Sequence, residues 1–189
     1  TIITHPVPIL ALGVGCGTGI ISKRLLLAGL FCAILPDFDV IGFRFGVAYA
    51  DLLGHRGLSH SLVFALFIGM LAFLAAPVLK ARRVTAFAVC FFAVAGHIGL
   101  DAMTTGGLGV MALYPLSEER YFLPWRPIRV SPFSPRAFLT ARGMAVIVSE
   151  LLWVWLPSAL LALFIRLARL GGGSGTGASA SAGGVSRRR

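Results

Sequence analysis

The side chains able to do chemistry are few, and their order along the chain is informative. Among 189 residues there are four histidines, His5, His55, His60 and His97, and seven acids. The acids are Asp37, Asp39, Asp51, Asp101, Glu118, Glu119 and Glu150. His97 and Asp101 stand four apart, so on a helix they share one face. Imidazole and carboxylate on one face hold Zn²⁺ and related divalent ions. The run Pro36-Asp37-Phe38-Asp39 brings two carboxylates to a helix end. His55-Arg56-Gly57-Leu58-Ser59-His60-Ser61 holds two imidazoles five apart, a spacing no single helix face repeats. A turn at Gly57 would bring them together, with Ser59 or Ser61 capping the helix that follows. The candidate ligands are therefore His5, Asp37, Asp39, His55, His60, His97 and Asp101. That number exceeds what one tetrahedral ion needs. Two ions with a bridging carboxylate, zinc first and manganese second, fit the count.

These ligands sit in an unusually apolar chain. Hydrophobic residues make up 57% and charged residues 13%, with a mean hydropathy of +0.88. A soluble domain carries about 25% charged residues. The composition excludes a soluble enzyme and a disordered chain. Cys16, Cys32 and Cys90 lie in apolar runs without a CxxC pair, which excludes a disulfide framework. The expected architecture is all-α, an integral membrane bundle of about five helices. Apolar stretches run roughly over 6–21, 25–36, 61–79, 84–100 and 144–165. The third and fifth are long enough to span a bilayer, and the fourth is marginal. The first two reach only about 24 and 18 Å at the α-helical rise. Period-2 alternation is missing, which argues against strands.

The net charge of +10 has a membrane explanation. Basic clusters at Lys23-Arg24, at 80–83 and at Arg166 with Arg169 all fall on one side of a five-pass chain. The positive-inside rule makes that side cytoplasmic, with the N-terminal end outside. No nucleic-acid partner is called for, and no obligate protein partner is indicated. TIITHP has neither the basic region nor the cleavage site of a removable signal peptide. The expected division is a membrane-embedded domain over 1–170 and a disordered Gly/Ser/Ala tail over 171–189 ending in arginines. Within that domain, 101–142 forms a long polar-aromatic connection after the fourth helix.

On this topology every histidine, together with Asp37, Asp39 and Asp101, falls on the face opposite the basic turns. Arg56, Arg120, Arg126 and Arg129 also belong to that face, where orientation alone would not place them. Guanidinium groups there suit phosphate or an anionic headgroup. Thr105 is a candidate hydrogen-bond donor to the site. Glu150, two turns into the last helix, is read as half of a structural ion pair.

The strings HRGLSHS, PDFD, HIGLDAMTTGGLG and YPLSEERYFLPWRP together resemble the YdjM-like family. The likeness covers about 4–133 and continues more weakly through the last helix. That family is LexA-regulated, resides in the bacterial inner membrane and is regarded as metal-dependent hydrolases. Its ligand pattern is similar to the zinc-dependent phospholipase C and nuclease group. The resemblance implies that His5, Asp37 or Asp39, His60, His97 and Asp101 bind metal, with Asp101 as the bridge. A second HxxxD motif and a later histidine pair are missing, so a third metal is not expected. The implied activity is attack of metal-activated water on a phosphoester, with a lipid as natural substrate at the membrane surface. Asp37 or Asp39 would take the water proton. Arg56 would stabilise the developing charge, while Arg120, Arg126, Arg129 and Thr105 would contact substrate. The metal site would face away from the cytoplasm. The competing reading is a metal-binding or transporter-like protein without catalysis. HExxH is absent, which disfavours a metalloprotease.

Overall fold

The computed structural model describes residues 1–132 and 134–172 and contains, among them, five helical rods and no strand. The first is α1 (Val7–Cys16), and α2 (Lys23–Ile34) follows. Beyond Ile34 the chain tightens into a 3₁₀ run over Leu35–Phe45. Helix α3 spans Leu62–Leu74 and α4 spans Arg83–Ala102. The last rod joins α5 (Ala141–Glu150) and α6 (Leu156–Gly172) through one wide π-turn at Leu151–Trp155. Pro157 has no N–H to give to the carbonyl of Trp153, and the widened turn precedes it.

Three rods are long and apolar enough to cross a membrane: Lys23–Phe45, Arg83–Ala102 and Ala141–Gly171. This corrects the expected lengths at two places. The second stretch is long enough because helix continues past Pro36, which sits at the first turn of the 3₁₀ run and loses no bond there. The third is short because regular helix ends at Leu74, three residues before Pro77. The last helix also continues through Gly172. Of the expected tail, 173–189 lies outside the described residues.

Helix α4 is the axis of the bundle. Its Ala86, Val89, Cys90, Ala93, Val94, His97, Ile98 and Asp101 are buried at spacings of three and four, one continuous face. Helices α1, α2 and α3 pack against α4, and α6 packs against α1. Small residues set these crossings. A Cβ on Gly29 of α2 would stand 2.8 Å from Val89 and 3.0 Å from Ile9. A Cβ on Gly69 of α3 would stand 3.0 Å from Phe87 and Phe91. Such contacts replace the hydrophobic drive that lipid-soluble helices lack.

The basic turns do share one end. Ser22 donates its hydroxyl to the carbonyl of Leu79, and Arg24 donates to Val78 O at 3.0 Å. Arg169 donates to Gly15 O at 3.3 Å, so the end of α6 joins the same group. His5, just before α1, and Asp101, at the far end of α4, belong to the other end. The long connection folds over that end. Single bridges pair Thr104 with Ile128 and Val110 with Tyr121. Arg120 then ties the connection down through the carbonyls of Tyr49, Ala50, Asp51 and His55.

Candidate metal centre

Four elements deliver the seven candidate ligands. His5 comes from the turn ahead of α1, whose Pro6 and Pro8 fix its entry. Asp37 and Asp39 come from the first turns of the 3₁₀ run, where two residues span less than one α-helical turn. His55 and His60 come from the loop before α3. His97 and Asp101 lie on the buried face of α4.

Five of these side chains converge. His60 Nε2 lies 3.1 Å from His97 Nε2 and 3.3 Å from Asp101 Oδ2. His97 Nε2 lies 3.5 Å from Asp37 Oδ1 and 3.9 Å from Asp101 Oδ2. His5 Nε2 lies 3.6 Å from Asp101 Oδ1 and 4.0 Å from Asp37 Oδ2, with its ring stacked on His97 at 3.7 Å. Two ligands each bonded to one ion at 2.0–2.2 Å stand roughly 3–4.2 Å apart, depending on the angle between them. Every one of these separations falls in that interval. One oxygen or nitrogen from each of Asp37, His60, His97 and Asp101 fits within 4.8 Å of the others.

Asp39 and His55 stand behind this group. Asp39 Oδ2 lies 3.2 Å from His60 Nδ1, the nitrogen that faces away from His97. Its other oxygen lies 2.7 Å from His55 Nδ1. Asp39 Oδ2 also accepts from the Ser59 hydroxyl at 2.7 Å and from the Arg56 peptide N–H at 3.1 Å. Asp39, His55 and His60 thus form a second group of metal-type donors, joined to the first through one imidazole.

The backs of the two central rings determine what their fronts offer. His97 Nδ1 lies 2.7 Å from the carbonyl of Ala33, which can only accept, so Nδ1 carries hydrogen. His60 Nδ1 faces a carboxylate and Ser59, and it too carries hydrogen. In the neutral rings both Nε2 atoms are then lone pairs, aimed at one another across 3.1 Å. Two lone pairs at that distance repel unless a proton or a metal ion stands between them. Near His60, burial opposes the charged ring, yet hydrogen bonds and charge from Asp101 and Asp39 prevail and raise its pKa to about 9. His5 goes the other way: burial first, then the nearby His97, hold its pKa well below the usual imidazole range.

The loop that carries His60 is built differently from the sequence expectation. The left-handed residue is Arg56, with φ of 65°, and not Gly57. Gly57 is required for close approach: a Cβ there would lie 2.1 Å from Leu52 O. Ser61 caps α3 by accepting from Phe64 N at 3.1 Å, while Ser59 serves Asp39. The unusual backbone of Arg56, which costs about 1–3 kcal/mol, brings its side chain inward. Arg56 Nε lies 3.0 Å from Asp101 Oδ2 and Nη1 donates to Gly106 O at 2.9 Å. The Nε contact is off the line of a hydrogen bond. Arg56 Nε, Asp101 Oδ2 and His5 Nδ1 are buried atoms without a hydrogen-bond partner among the described residues. Orphaned polar atoms at one spot fit a site made for a further group.

A cavity of about 1090 Å³ opens onto this centre, with His5, Asp37, Arg56 and Asp101 on its wall. Of the four residues expected to contact substrate, Arg129 lines it. Arg120 does not, because its guanidinium is fully engaged by backbone carbonyls. Arg126 stacks over Phe122 at 4.7 Å, outside the cavity lining. Thr105 is exposed and accepts from Val130 N at 3.2 Å, fastening the connection. Glu150 is buried and accepts from the hydroxyls of Thr1 and Thr4 at 2.8 Å. The sequence reading missed the Ala33 carbonyl, which no side chain announces, and the service of Ser59 to Asp39.

The comparisons agree with the motifs. The chain is 46% identical over 162 residues to the inner membrane protein YbcI of Escherichia coli (strain K12). That alignment covers 85% of this chain and 94% of the relative. No solved structure matches the chain. The profile of the family described as YdjM inner membrane protein matches residues 1–172, and the chain belongs to that family.

Proposed function

We propose that this protein is a metal-dependent hydrolase of the inner membrane, acting on a phosphoester carried by a membrane amphiphile. The observation that carries the reading is the facing pair of imidazole nitrogens of His60 and His97, ringed by Asp37, Asp101 and His5. Neutral imidazoles with carboxylates suit zinc, and manganese next. We assign one ion to this five-donor set. The two ions expected from the sequence would need Asp39 and His55 as ligands. Asp39 faces the far nitrogen of His60 and His55 faces Asp39, an arrangement that orients an imidazole ligand and raises its basicity.

A divalent ion here would supply a Lewis acid and a water activated near neutral pH. The chain's own residues supply the remainder. Asp37 has the more exposed side chain of the two carboxylates, at 16% against 7% for Asp101, so it is placed to take a proton from water in the cavity. Asp101 is held by Arg56 and stays a ligand. Arg56 also lines the cavity, where its charge favours an oxyanion more than a neutral ester. The apolar cavity wall and the location between spanning rods favour an amphiphile over a soluble ester. The likeness to the zinc-dependent phospholipase C and nuclease group rests on donor types alone, and it supports a phosphoester. By the positive-inside rule the centre faces away from the cytoplasm, since the basic turns occupy the other end.

The test is metal content of the purified protein, together with a chelator-controlled screen of phosphomonoesters and phosphodiesters. Turnover abolished by chelator and restored by one equivalent of zinc or manganese is the expected result. Full metal occupancy without turnover would leave a non-catalytic metal protein. A transporter is disfavoured because the donors gather at one end of the bundle and are not spread through its depth.

A further inference from the structure

The cavity has a second chemical character that the metal centre does not use. Arg129 and Arg142 both line it. Neither guanidinium has a hydrogen-bond or ion-pair partner among the described residues. The backbone of Arg129 is fixed, since its N–H donates to Ser149 Oγ at 3.0 Å. Arg142 is in the first turn of α5, at the metal end of the last rod. The carboxylates on the same wall are otherwise occupied. Asp37 and Asp101 belong to the ligand set, and Glu150 accepts from Thr1 and Thr4. Ile147, Leu151, Val154 and Trp155 from the last rod give that wall an apolar stretch.

Two uncompensated guanidinium groups beside an apolar wall at a membrane interface select for negative charge joined to hydrocarbon. We infer that the cavity binds an anionic lipid, its headgroup phosphate between Arg129 and Arg142 and its acyl portion along Ile147, Leu151, Val154 and Trp155. Zwitterionic lipids carry an ammonium whose charge offsets that of the phosphate, so they gain less from the two arginines. This deepens the hydrolase reading by naming the substrate class, and it rests on that reading for the position of the scissile bond alone. Binding itself can be measured without turnover.

The protein as purified in neutral detergent is mixed with phosphatidate, phosphatidylglycerol or phosphatidylcholine, and lipid retention is read by native mass spectrometry. The two anionic lipids should be retained roughly tenfold or more over phosphatidylcholine, the size of one hydrogen bond between charged partners. The R129Q/R142Q double variant should lose this preference while keeping its metal content. Millimolar inorganic phosphate should not displace the lipid. Equal retention of phosphatidylcholine, or an unchanged preference in the double variant, would overturn the inference. Displacement by inorganic phosphate would overturn its lipid part. The wild-type ranking decides the matter even where the double variant fails to fold, because headgroup charge is varied on the lipid side. Selective retention without turnover would remove the hydrolase reading and keep this one. Turnover indifferent to headgroup charge would do the reverse.

Discussion

His60 and His97 approach each other nitrogen to nitrogen at 3.1 Å, each ring held from behind by an acceptor that fixes its hydrogen on the far side. The acceptor behind His97 is the Ala33 carbonyl from α2, and the one behind His60 is Asp39. Two rods and a loop therefore combine to aim two lone pairs at one point.

Replacing His97 with Ala removes one ligand and leaves His60 without its counterpart. Wild-type protein should gain thermal stability when metal is added, by about 4 kcal/mol at a thousandfold excess over the dissociation constant. H97A should show no such gain while its metal-free melting transition persists. A metal-dependent rise in H97A equal to wild type would remove His97 from the ligand set.

Asp39→Asn separates the support role from a ligand role. It keeps the shape but weakens the acceptor behind His60. Metal affinity should fall about 10–100-fold with one equivalent still bound at saturation. Wild type binding two equivalents, and D39N binding one, would instead restore the second ion.

The pH dependence of metal uptake has a defined sign. In the metal-free protein His60 holds its proton up to about 9. That charge stabilises the metal-free fold fully below 6.5, the ordinary imidazole value, and the contribution disappears as pH rises through about 9. Metal must displace the proton, so affinity should weaken about tenfold per pH unit on descending from there. His5, kept neutral by burial, adds no proton to this exchange near neutral pH. Isothermal titration in buffers of different ionisation enthalpy counts the released proton; zero release at pH 7 would contradict the geometry.

Arg56→Gln tests the charge beside Asp101. Turnover on a phosphoester should drop about 10²–10³-fold with metal content unchanged. The loss should appear in kcat more than in KM, since the charge matters most when negative charge develops. Loss of metal along with activity would make Arg56 a support of Asp101 and nothing more.

Gly57→Ala places a methyl group against the carbonyl of Leu52, a backbone atom that cannot step aside. The loop should shift and His60 with it, so metal binding should fail. Gly29→Ala meets the β-branch methyls of Val89 and Ile9, which yield only through a small shift of the helices, and should cost about 1–3 kcal/mol without loss of metal. Thermal melts with and without metal distinguish the two.

Much of this was legible in the residues themselves. Scarcity made it so: an apolar chain with four histidines cannot scatter them at random, because each polar group in a membrane needs a reason. Basic residues at alternate turns oriented the rods, and that alone put His5, Asp37, His60, His97 and Asp101 at one end. Helix lengths were less legible. Pro36 was compatible with a continuing helix, and the break before Pro77 came earlier than the apolar run suggested. What only the tertiary structure decided is which donors point inward. Asp37 and Asp39 are two residues apart and of one type, yet one faces the cluster and the other the back of His60. Their directions depend on a 3₁₀ twist and on Ser59, Arg56 and His55 arriving from twenty residues away. Arg120 and Arg129 likewise look equivalent in sequence; the first is claimed by four carbonyls and the second is left facing the cavity. Composition and charge order fix the end of the bundle at which polar groups must gather, because the bilayer penalises every other place. Side-chain roles within that end depend on contacts between segments distant in the chain.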